Sequence, residues 1–126
     1  MKHPFSDELC SPPALVIDVI VHVRGTPRQA ALRGKIDTGA DASVVPLGLL
    51  KSLRAPKWGS WNIEMLKTGP LTISGYLVDI ELLGRRFVVK AVGLEQSYPL
   101  IGRDILNQLS LTIDGPNEEF LFHPPK

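Results

Sequence analysis

The chain has 126 residues, a net charge of +1 and 44% hydrophobic residues, which fits one domain with its own core and argues against nucleic acid or an anionic membrane as partner. Its one cysteine, Cys10, excludes an internal disulfide and fits a reducing compartment. No apolar stretch approaches the roughly 20 residues of a membrane span, and residues 1–8 lack the apolar segment of a signal peptide. A cytoplasmic protein is expected.

Residues 1–13 carry Pro4, Pro12 and Pro13 among polar residues and read as an irregular arm. A single domain is expected over 14–123. Residues 15–23 are rich in valine and isoleucine and too stiff for a good helix, which predicts a strand. His22 is expected on its solvated face. His3 and His123 have no partner at ligand spacing and there is no cysteine pair, so neither a metal nor another cofactor is expected. Gly25-Thr26-Pro27 reverses the chain. Residues 29–36 read as the return strand, which delivers Asp37. Side chains alternate along a strand, so Lys35 shares a face with Asp37.

After Asp37-Thr38-Gly39 and Ser43-Val44-Val45, the leucines at 47, 50 and 53 predict a short helix opened by Pro46. Trp58-Gly59-Ser60-Trp61 reads as a loop. Residues 62–66 and 71–83 read as the arms of a hairpin, with Lys67-Thr68-Gly69-Pro70 as its turn. Gly84-Arg85-Arg86 turns the chain into a further strand over 87–92. Leu100-Ile101-Gly102-Arg103-Asp104 then leads into a short helical piece. Asp114-Gly115-Pro116-Asn117 is a hairpin signal between strands at 111–113 and 119–122. The fold class expected is all-β with one or two short helices.

The chemistry centres on Asp37-Thr38-Gly39. Asp37 supplies a titratable oxygen where a strand should end. Thr38 supplies a hydroxyl that can brace the loop. Gly39 allows close backbone approach and angles that a side chain would forbid. No Walker loop, Gly-x-Ser-x-Gly elbow or His-Glu-x-x-His helix is present.

Asp37-Thr38-Gly39-Ala40-Asp41 and, further on, Leu100-Ile101-Gly102-Arg103-Asp104 resemble the two motifs of the retropepsins, the single-domain aspartic proteases of retroviruses and their cellular relatives. The hairpin near 61–75 resembles the family's flap. The resemblance spans about residues 15–113 and implies a closed β-barrel of the acid protease type. It implies that Asp37 is the catalytic aspartate and that Thr38 locks two active-site loops together. It implies that Gly39, Ala40, Asp41, Lys35 and Leu100 meet a peptide or protein substrate. Lys35 departs from the family, which usually places an apolar residue there. Asp41 and Arg103 resemble a pair tying the active-site loop to the C-terminal helix. If that pair is buried, losing one partner would cost roughly 3–5 kcal/mol. Gly102 resembles the glycine where the chain crosses tightly beneath the loop.

An aspartic protease needs two carboxylates around one water, and like charges that close share one proton. This chain has one Asp-Thr-Gly. Catalysis of that kind therefore implies a homodimer with the site on its two-fold axis. The alternative is a retropepsin-like module that holds a peptide without cleaving it. The intact Asp-Thr-Gly argues against this, since a binder has no need of that carboxylate.

Overall fold

A computed structural model describes residues 2–65 and 69–124. Its elements run β1 (Lys2–Pro4), β2 (Val16–His22), β3 (Gln29–Ile36), β4 (Val44–Pro46), α1 (Leu47–Ser52), β5 (Lys57–Met65), β6 (Gly69–Leu82), β7 (Arg85–Leu94), β8 (Leu100–Ile101), α2 (Arg103–Leu106), β9 (Ser110–Asp114) and β10 (Glu119–His123). Seven strands join in the order β2-β3-β8-β4-β7-β6-β5. A further β2–β6 pairing, Val21 opposite Ile80, closes the first six into a ring. Closure removes sheet edges that would otherwise be open to a stray strand. Among the described residues, no helix is long and apolar enough to cross a membrane.

The ring closes because each strand has an apolar inner face. Val19 and Val21 from β2, Val78 and Ile80 from β6, Val89 and Ala91 from β7 and Ile101 from β8 are buried in one core. Leu50 of α1 and Ile105 of α2 plug into the same core and are fully buried. Burying such a side chain stabilises the fold by about 1.5–3 kcal/mol each.

Several elements differ from their sequence reading. The arm is not irregular throughout: Lys2–Pro4 pairs antiparallel with β10 and is one edge of a second sheet, β1-β10-β9. Pro4 is tolerated because an edge strand has a side with no ladder to supply. Stacking of His3 on Phe120, with ring centroids 5.0 Å apart, holds this strand in place. The expected loop at 58–61 lies inside β5, with a bulge between Lys57 and Gly59. Gly69 and Pro70, expected in the hairpin turn, belong to β6, Gly69 opposite Met65 and Pro70 opposite Glu64. Pro70 fits because β7 pairs with β6 only from Gly75 onward. The remainder of that expected turn, Lys67-Thr68, lies outside the described residues. At the next hairpin the turn is Leu83-Gly84, both with positive φ, and Arg85 and Arg86 already belong to β7.

His22 is buried rather than solvated. Arg86 Nη2 donates to His22 Nδ1 (3.2 Å), so the ring proton sits on Nε2 and is donated to Glu81 (2.8 Å). Arg24 and Arg86 cover the buried Asp79 of β6, at 3.4 and 3.9 Å.

Residues 5–14 form a loop whose two ends pair with each other and which is tied to β3 through Glu8. Phe5 N–H donates to Glu118 O (2.8 Å) and Ser6 pairs with Ala14. Arg33 of β3 donates from Nε to Glu8 (2.9 Å) and from Nη1 to Asp18 (2.9 Å). The bond from Arg33 holds the Glu8 carboxyl below the usual carboxylate range. A carboxyl lowered on folding contributes stability at neutral pH and loses it as pH falls through its folded value. On acidification below that range, backbone NMR shifts of residues 6–14 should therefore change together. In Glu8→Gln that transition should be missing; its persistence there would assign it to another acid.

Candidate active site

Asp37 stands one residue past the end of β3. Its backbone N–H donates to Ile101 O of β8 (2.9 Å). β3 and β8 run parallel, with Lys35 opposite Leu100 and Ile36 opposite Ile101. This pairing brings the two motifs side by side on neighbouring strands. The loop then folds back on the carboxylate: Gly39 N–H donates to Asp37 Oδ1 (2.9 Å), and Ala40 N–H to Asp37 O (3.2 Å). A Cβ on Gly39 would lie 3.3 Å from that Oδ1. Close approach is the reason for glycine here. The unusual backbone angles expected at Gly39 are not found, since its φ is outside the left-handed region.

Thr38, Gly39 and Asp41 are exposed on one side of the loop, with Asp37 half-buried beneath them. Arg103, at the start of α2, donates to Thr38 O (3.3 Å) and pairs with Asp41. The expected Asp41–Arg103 pair thus forms, but not as a buried one. The Asp41 side chain is 88% exposed and Arg103 46%. Such a pair is worth under about 1 kcal/mol, so the cost expected for a buried pair does not apply.

The more buried tie lies two residues past Asp41 and one past Arg103, between Ser43 and the half-buried Asp104. Ser43 is fully buried. Its N–H donates to Asp104 Oδ2 (2.9 Å) and its hydroxyl to Asp104 Oδ1 (2.7 Å). Ser43 Oγ accepts from Gly102 N–H (3.0 Å), and Asp104 Oδ1 also accepts from Ile105 N–H (3.0 Å). Arg103 N–H donates to Ala40 O (2.9 Å). A Cβ on Gly102 would meet the backbone of Ala40 and Ala42 at 2.8–2.9 Å, so only glycine fits. Sequence reasoning missed Ser43 and Asp104. The signal available was an acid at the opening of a helical piece, where it can accept orphan N–H groups.

Lys35 and Leu100, opposite one another in register, are both half-buried. Lys35 alternates with the buried Gly34 and Ile36, which leaves it on the outward face that Asp37 continues.

No family model matches the sequence, and no curated protein sequence matches it. Solved structures do. The simian foamy virus (mac) protease superposes with a TM-score of 0.59 at 18% identity, over 74% of this chain and 92% of that one. The EIAV protease, in complex with the inhibitor HBY-793, gives 0.60 at 22%, over 78% and 89%. This chain has a retropepsin-like fold. A foamy viral protease-reverse transcriptase in complex with an RNA/DNA hybrid matches over 91% of this chain but only 13% of its own length, with a TM-score of 0.56 at 23% identity.

The geometry ranks the ties that hold the loop. Asp104→Ala strands the Ser43 hydroxyl and N–H in a buried place and should cost about 1–3 kcal/mol, whereas Arg103→Ala should cost under about 1 kcal/mol. Chemical denaturation of both variants checks the order. A Ser43→Ala/Asp104→Ala double-mutant cycle should show coupling; additive losses would mean that the contact does not act as a unit.

Proposed function

We propose that this chain is an aspartic endopeptidase that works as a homodimer, with Asp37 of each copy forming the catalytic pair. The observation that carries the reading is the Asp37 loop itself. It presents a carboxylate braced by the Gly39 N–H, under an exposed Thr38-Gly39 surface, in a retropepsin-like barrel.

In this reading a second copy approaches along a two-fold axis through that surface. The Thr38 hydroxyl is available to brace the partner loop, and the two carboxylates share one proton. The ionised one takes a proton from the water between them. The protonated one donates to the carbonyl oxygen of the scissile bond as the water attacks. The resulting tetrahedral species collapses when the leaving nitrogen is protonated. Gly39, Ala40, Asp41 and Leu100 line the cleft. The substrate is an extended peptide segment, paired to the cleft by its backbone.

Asp37→Asn keeps the shape and the acceptor for the Gly39 N–H but removes the base. The variant should fold with an unchanged circular dichroism spectrum and lose at least about 100-fold in peptide cleavage. Cleavage per chain in the unmodified protein should rise with concentration as dimers form. Undiminished cleavage by the variant, or full activity in a strict monomer, would remove the assignment. Selective peptide binding without cleavage would favour the binding module instead.

A further inference from the structure

The outward face around Asp37 has an unequal balance of charge. On it, Arg33 is engaged by Glu8 and Asp18, and Arg103 by Asp41. Lys35 makes no ion pair with a described residue. Its register neighbours are aliphatic, Val16 on β2 and Leu100 on β8. The next outward position of β2 is Asp18, which stands opposite Arg33 and is bonded to it at 2.9 Å. The first carboxylate that Lys35 meets along its own strand is Asp37, two residues on. Two residues of strand span about 6.6 Å, which a lysine stem easily reaches.

This becomes a specificity argument if two copies combine as proposed, and it rests on that reading. A two-fold axis beside Asp37 brings two Lys35 side chains to one cleft. The aspartate pair that they flank shares a proton and so carries one negative charge. Two ammonium groups against one negative charge leave a positive excess. Lys35 is half-buried with its stem beside aliphatic register neighbours, and its length brings the ammonium within reach of the cleft. We infer that Lys35 is a specificity-determining residue, and that it selects peptides carrying an acidic side chain next to the scissile bond and rejects those carrying a basic one. A carboxylate there completes the balance, whereas a like charge is repelled.

The test uses the full chain and a set of peptides that differ only in one residue flanking the scissile bond: Glu, Gln, Leu or Lys. Each is made both as a cleavable amide and as a non-hydrolysable hydroxyethylene isostere. In the unmodified protein, Glu should be favoured over Lys by roughly tenfold or more, in kcat/KM for the amides and in affinity for the isosteres. Lys35→Leu should collapse that ratio toward one, and Lys35→Glu should invert it. A ratio near one in the unmodified protein, or one that survives in Lys35→Leu, overturns the inference. The two readings fail separately. Acid-selective binding with no cleavage leaves Lys35 in its role and removes the endopeptidase. Cleavage with no charge preference does the reverse. A protein that binds none of the peptides overturns both.

Discussion

The contact between Ser43 and Asp104 is the constraint on which the site depends. It joins the end of the Asp37 loop to the first turn of α2, 61 residues later, by two hydrogen bonds from Ser43 to one carboxylate. Everything between Asp37 and β4 is short loop, with little packing of its own. Its shape is set from below by three things: the Asp104 carboxylate, the Ser43 oxygen that accepts from Gly102, and the bare α-carbon of Gly102 against the backbone of Ala40 and Ala42. Taking a carboxylate partly out of water is costly unless its oxygens are satisfied. The half-buried Asp104 has both satisfied, with Ile105 N–H adding a third bond, so the contact stiffens the crossing instead of weakening it.

The rest of the barrel serves that crossing. Parallel pairing of β3 with β8 is only two residues long, yet it places Asp37 N–H on Ile101 O. Such a short ladder cannot hold a register alone. The antiparallel β2–β3 and β6–β7 ladders supply the rigidity, and the β2–β6 pairing closes the ring around them. The Asp37 loop thus rides on a scaffold whose own stability comes from apolar burial elsewhere. Substitutions on its exposed side should therefore disturb the fold little.

Charge is divided in the same way between the two faces of the protein. Far along β2 and β6, Asp79 and His22 are buried under guanidinium groups. Near Asp37 the arginines are committed to carboxylates, and the pairs are exposed and weak. Asp79 and His22 are thus buried, although Asp79 Oδ1 accepts no hydrogen bond from a described residue, while charge near Asp37 is accessible and partly uncommitted. The exposure of Asp41–Arg103 belongs to the second group, which is why that pair carries less of the fold than its motif position implies.

What the amino-acid sequence determined by itself was local. A run of β-branched residues specified β2, the Gly25-Thr26-Pro27 reversal pointed to β3 as its return strand, Leu47, Leu50 and Leu53 specified α1, and Asp114-Gly115-Pro116-Asn117 specified the last hairpin. Each rests on neighbours within a few residues, where propensity and turn chemistry decide. The Asp-Thr-Gly loop and its distant counterpart were legible as motifs for the same reason. Tertiary structure decided the rest. The proline-bearing Lys2–Pro4 becomes a strand only because β10 offers an edge and Phe120 a stacking surface. Residues 58–61 become strand because β6 is there to pair with them. His22 is buried by an arginine 64 residues away, and Ser43 by an aspartate 61 residues away. Burial and pairing are properties of partners far along the chain, and periodicity within one segment does not identify which partner closes on it.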